Sequence, residues 1–152
     1  MPSIDRIDVQ QVISDVGALV NDLTHNESVA VHYSLPEHPL AVRADSVQLS
    51  QIFMNVFRNA IQATQGQTHR ELKVRVWLED GKVHITFTDN GPGLAKDVEH
   101  KVGSAFFSTK PDGLGVGLSI AKSIAQKHGG SLSIANAPSG GAVVELQLPA
   151  VD

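Results

Sequence analysis

The apolar pattern predicts an α+β fold, a two-layer sandwich in which a mixed, mostly antiparallel sheet packs one face against about three helices. Three observations carry this expectation. β-branched segments come in pairs joined by short turns. Stretches whose apolar residues recur at helical spacing lie between the pairs. At 152 residues and 41% hydrophobic content the chain can bury one core and is too short for two, so residues 1–152 read as a single domain.

In residues 9–21 the apolar positions Val9, Val12, Ile13, Val16, Leu19 and Val20 recur every three or four residues, which predicts an amphipathic first helix. Residues 29–35 alternate and are rich in β-branched side chains, a strand stopped by Pro36 and Pro39. A short strand around Ala41, Val42 and Arg43 leads to Asp45, which can cap the free amides of a second helix, with Gln48 placed to reach back. That helix carries Leu49, Ile52, Phe53, Val56, Phe57, Ala60 and Ile61 on one stripe and ends near Gly66. Residues 72–78 and 83–88 alternate with period two around Asp80 and Gly81, a hairpin. Residues 89–117 are polar and glycine-rich, with at most one short helix near residues 96–102; a connection of that length in a compact domain is usually functional. A third helix over residues 116–128 is closed by Gly129 and Gly130 as its left-handed cap. Residues 131–135 and 142–148 form a last hairpin around residues 138–141.

Composition narrows the function classes. The 12 basic and 16 acidic side chains give a net charge of -4 with no run of like charge, which argues against a nucleic-acid or anionic-membrane surface. There is no cysteine, hence no disulfide framework and no Cys-based zinc site, and none of the seven histidines has metal-ligand spacing. No apolar stretch approaches the roughly 20 residues that span a bilayer, and the start lacks the apolar core of a signal peptide. The expectation is a soluble, cytoplasmic piece without direct membrane contact.

Four short constellations look chemical. Asn55 and Asn59 are one helical turn apart, with Arg58 beside them, and asparagine is a weak helix former that needs a reason to appear twice in a well-patterned helix. Their carbonyl oxygens could hold a hard cation such as Mg²⁺ together with phosphate oxygens, or they could be solvated surface amides. Asp89 ends a strand of buried type. Its carboxylate could accept a hydrogen bond from the exocyclic amine of adenine, where guanine presents an oxygen, although Asp89-Asn90-Gly91 is also an ordinary turn. Gly113, Gly115 and Gly117, followed by Leu118, open the third helix, where backbone amides can approach a polyphosphate and the helix N-terminus adds a favourable partial charge. Their spacing is neither that of a P-loop nor that of a dinucleotide-binding turn. Phe106, Phe107 and Lys110 stand in the long loop, where they could close over a nucleotide as a lid, or the rings could anchor the loop to the core.

The order of these signals strongly resembles the GHKL superfamily, which joins gyrase, a heat-shock chaperone, histidine kinases and MutL. Asn-x-x-x-Asn-Ala, Asp-x-Gly-x-Gly, Phe-Phe-x-Thr-Lys and Gly-x-Gly-x-Gly-Leu look like its N box, first glycine box, F box and second glycine box. The resemblance covers residues 7–149 and implies the Bergerat-type ATP-binding fold. It also implies ATP or ADP as ligand with Mg²⁺, and these roles follow from it. Asn59 would be the main metal ligand with Asn55 supporting it. Asp89 would bind adenine in a pocket shaped by Gly91 and Gly93, and Gly113, Gly115 and Gly117 would contact phosphates, with Leu118 completing that box. Phe106 and Phe107 would form the lid, and Arg58 and Lys110 would neutralise phosphate charge. The superfamily's ATPases carry a glutamate where this chain has Asn55, and an amide cannot act as the general base that activates water. The chain therefore looks built to keep ATP for transfer, as sensor histidine kinases do, and its box forms look most like the kinases that sense nitrogen, oxygen or dicarboxylates.

Two departures from the family pattern stand out. Ala142 occupies the place where many relatives have a threonine that helps hold adenine. None of His25, His32, His38, His69, His84, His100 or His128 sits in an H box, so the phosphoacceptor and dimerisation domain is expected upstream, with Met1 the edge of a monomeric piece of a homodimeric parent that signals to a cognate response regulator. All seven imidazoles read as surface or lightly buried. The rival readings are a GHKL serine/threonine kinase of the anti-sigma kind and a non-catalytic nucleotide-binding or docking module.

Overall fold

The computed structural model describes residues 3–93, 114–138 and 140–151. Its elements are β1 (Ile4–Asp8), α1 (Val9–Leu19), α2 (Asn21–Asn26), β2 (Val29–Ser34), β3 (Ala41–Asp45), α3 (Ser46–Ala63), β4 (Arg70–Glu79), β5 (Lys82–Asp89), α4 (Leu114–Lys127), β6 (Ser131–Asn136) and β7 (Ala142–Val151). The strands form one seven-stranded sheet in the order β1-β3-β7-β5-β4-β2, with β6 also paired to β7. Among the described residues only the β2–β4 pair is parallel. The expected α+β sandwich is what the chain forms.

Local chemistry explains the joints that matter. Asp80 (φ 53°) and Gly81 (φ 75°) both take positive φ, the geometry of the two-residue turn that matches strand twist, and this sets Glu79 opposite Lys82. The resulting register buries Val83, Ile85 and Phe87 on the helix side of β5. Side chains alternate with period two, so Asp89 falls on that same buried side at the end of an interior strand. Phe53 and Phe57 of α3 pack on Phe87, with ring centroids 6.1 Å and 5.0 Å away. Leu118, Ala121, Ile124 and Ala125 of α4 join the same core. At the far end of α4, Gly129 takes φ +78° and the Gly130 amide donates to Ala125 O at 2.9 Å, the expected left-handed cap.

Two expectations need correction. β1 has no counterpart in the sequence pattern, because Ile4, Asp5 and Arg6 are exposed and the strand is held by backbone pairing to β3 rather than by an apolar face. The single first helix is two, broken at Val20, whose ψ of 1° leaves the helical range while its side chain stays buried. The second predicted helix, α3, ends at Ala63, near Gly66 as expected, where Ile61 O is taken by the Thr64 hydroxyl and by Arg70. His84 and His128 are lightly buried, within the expectation, and both make specific contacts. His84 lies 2.8 Å from Glu145 and stacks on Trp77 at 5.0 Å, and His128 bonds backbone groups on two elements. The short helix expected near residues 96–102 lies outside the described residues.

Candidate functional site

Three elements converge at one end of the sandwich. On α3, Asn59 is only 9% exposed and Asn55 is half-buried, so neither is the freely solvated amide of the plain surface reading. Arg58 between them is exposed. Asn55 Nδ2 donates to Gly117 O in the first turns of α4 at 3.2 Å. That bond fixes which end of the amide faces α4 and leaves Asn55 Oδ1 as its acceptor end. Neutral amide oxygens one turn apart suit a hard cation that keeps waters and phosphate oxygens as further ligands. Among the described residues there is no cluster of three His, Cys, Asp or Glu that could hold a metal by itself.

Asp89 closes the second side. It is 3% exposed, and its Oδ1 accepts from Gly91 N at 2.9 Å and Ala142 N at 3.3 Å. The surrounding glycines are sterically required. A Cβ on Gly91 would meet Ala63 O at 2.1 Å, and one on Gly141 would meet Asp89 O at 1.8 Å. Gly93 takes φ +80° with Asn136 Oδ1 2.7 Å from where its Cβ would stand. Asn90 pins the turn from outside, accepting from Glu71 N at 2.9 Å and donating to His69 O. The last turn of α3 thus rests directly on the turn after Asp89.

The structure brings together Asn55, Asn59, Asp89, Gly91, Gly93 and Gly117 around the contacts of α3 with β5 and α4. Gly115 lies in the first turn of α4. Leu118 is 2% exposed and belongs to the core, where it seats that turn on the sheet. Phe106, Phe107, Lys110 and Gly113 lie outside the described residues. Sequence reasoning missed Asn90, Gly141 and Arg70. Arg70 donates to Thr64 Oγ, Glu27 O, Glu27 Oε1 and Ile61 O and so ties the ends of α2 and α3 to β4. The paired Gly140-Gly141 is the one visible signal for these, and in the sequence it reads only as a turn. The missing threonine hydroxyl at Ala142 does not empty the contact with Asp89, because the Ala142 backbone amide reaches the carboxylate.

A family model described as histidine kinase-, DNA gyrase B-, and HSP90-like ATPase matches residues 44–152. The chain belongs to this ATPase family. Sensor protein FixL of Bradyrhizobium diazoefficiens is 37% identical over 145 residues, which cover 95% of this chain and 29% of FixL. C4-dicarboxylate transport sensor protein DctB of Rhizobium meliloti is 34% identical over 111 residues, 73% of this chain and 18% of DctB. The nucleotide-free catalytic domain of histidine kinase ThkA superposes with a TM-score of 0.84 at 26% identity, covering 97% of this chain and 95% of that one. Within the ATPase family the fold is that of histidine kinase catalytic domains. The chain spans less than a third of the length of these two curated relatives. Among the described residues no helix is long and apolar enough to cross a membrane.

Proposed function

We propose that the chain binds Mg-ATP and, joined to a dimerisation and phosphoacceptor domain elsewhere in its parent protein, donates the γ-phosphate to a histidine there. The observation that carries this is the meeting of α3 with both glycine elements, through Asn55 with Gly117 and through Ala63 with Gly91. Asp89 would take the adenine amine. Asn59 and Asn55 would hold Mg²⁺, which neutralises charge on the phosphate oxygens. Backbone amides at Gly113, Gly115 and Gly117 would cradle the phosphates, with Lys110 and Arg58 adding positive charge and Phe106 and Phe107 closing the lid. In the transfer, a neutral imidazole nitrogen of the acceptor bonds to the γ-phosphorus. The bond to the β–γ bridging oxygen breaks, ADP leaves with that electron pair, and the imidazole proton passes to solvent. Asn55 cannot deprotonate water, which favours transfer over hydrolysis.

The wider assignment follows from the same reading: a monomeric catalytic piece of a homodimeric, cytoplasmically acting sensor kinase that passes phosphate to a cognate response regulator. The direct test joins the chain to the acceptor domain and supplies Mg-ATP labelled at the γ-phosphate. Acid-labile label on the acceptor is expected, since phosphohistidine is lost in acid and phosphoserine is not. Acid-stable label would favour the serine/threonine reading. No label, either in the joined protein or with the acceptor domain added separately in excess, would sink the kinase reading.

A further inference from the structure

At the ends of α3 and α4 remote from the nucleotide site, one side chain spans both helices. His128 follows the last turn of α4. Its Nδ1 lies 2.8 Å from Ile124 O, and its Nε2 receives the backbone N–H of Asp45 at 3.2 Å. The two partners dictate the state of the ring. A carbonyl only accepts, so Nδ1 carries the proton; an amide only donates, so Nε2 presents its lone pair. The two hydrogen bonds together select one tautomer. Asp45 is in turn the N-cap of α3, its carboxylate accepting from Gln48 N at 2.9 Å and Ser3 N at 2.6 Å.

Another polar tie between the helices is the Asn55–Gly117 bond at the site itself. Asp45 stands beside His128 and Asn55 beside Gly117, so the helices run antiparallel. Ten positions separate Asp45 from Asn55 and eleven separate Gly117 from His128, about 15 Å and 16.5 Å at the α-helical rise. The two spans between the ties agree to within one residue's rise. Between them the buried residues are apolar: Leu49, Ile52 and Phe53 on α3, Leu118, Ala121, Ile124 and Ala125 on α4. Apolar packing holds the helices together but specifies their sliding register less sharply than directional bonds at two fixed points. A slide by one residue is about 1.5 Å. A misplacement of about 1 Å in a reacting constellation is enough to cost on the order of 100-fold.

We propose that His128 is a positioning residue for the nucleotide site, setting the axial register of α4 on α3 and so the place of Gly115 and Gly117 against Asn55 and Asn59. This rests on the nucleotide-binding reading of that site. The test compares Mg-ADP affinity of the unaltered chain with His128→Leu, which keeps bulk and removes both bonds, and His128→Gln, whose carbonyl can still accept from Asp45. The Leu variant is expected to bind roughly tenfold more weakly, and the Gln variant within about twofold of the unaltered chain. Equal affinity for the Leu variant, or equal losses for Leu and Gln, would overturn the role of His128. No binding by the unaltered chain would instead overturn the nucleotide reading beneath it. Imidazole ¹⁵N shifts of the unaltered chain give a check that needs no variant to fold. The Nδ1–H tautomer is expected, and an Nε2–H tautomer would overturn the proposal.

Discussion

Asp89 shows how a residue that reads as a plain turn becomes a buried, hydrogen-bonded carboxylate at the candidate site. Its burial follows from strand parity, since it continues the side of β5 that carries Val83, Ile85 and Phe87, and parity is legible in the sequence. The steric wall around it is not legible, because the atoms that forbid a side chain at Gly141 belong to Asp89, far earlier in the chain. Gly141→Ala would drive a Cβ to 1.8 Å from Asp89 O, a backbone atom with no flexible side chain to yield. The expected cost is about 3 kcal/mol or more of stability, read as a lower denaturation midpoint, together with loss of adenine-nucleotide binding. Gly140→Ala is the control: it has positive φ but no heavy atom within 4 Å of the added Cβ, so it should cost only about 1 kcal/mol. At the proposed metal pair, Asn59→Ala should abolish the gain in nucleotide affinity on adding Mg²⁺ while leaving the magnesium-free affinity nearly unchanged. A titration of the variant with and without Mg²⁺ checks this.

Among the elements, α3 is the one the sequence describes best, and its ends show why. The Asp45 cap is visible as a short polar side chain before an apolar stripe, and the cap bond to Gln48 N is formed. The Ser3 amide that shares the carboxylate is not visible, because β1 lacks the apolar alternation that marks a strand. The bonds from Gln48 N and then Ser3 N hold the Asp45 carboxyl below its usual range. A lowered carboxyl pKa stabilises the fold fully above the ordinary value of about 4 and loses that contribution as pH falls through the lowered value. Asp45→Asn should therefore flatten the acid limb of the stability curve. Denaturant midpoints measured from neutral pH downward would show it, and an unchanged acid limb would contradict the cap's role. The break at Val20 has no sequence signal, since Val20 keeps the apolar spacing of the helix it interrupts.

At the scale of the whole molecule, the sheet sets the site by joining distant stretches of chain. β7 pairs with β3, β5 and β6, so the turn before it reaches Asp89 while α4 is held over α3. The fold class, the sheet-and-helix layering and the positions of Asn55, Asn59, Asp89, Gly91 and Gly93 are legible because they rest on period and on spaced motifs. Gly117 is legible only as a member of a glycine box; its contact with Asn55 depends on how two helices pack, which no local pattern encodes. The proposed function requires an adenine-selective pocket around Asp89. Its most direct test is calorimetric titration of the chain with ADP and with GDP in the presence of Mg²⁺, beside Asp89→Asn. Saturable one-to-one ADP binding is expected, with GDP weaker by roughly tenfold or more and that discrimination lost in the variant. No saturable ADP binding, or equal binding of ADP and GDP by the unaltered chain, would contradict it.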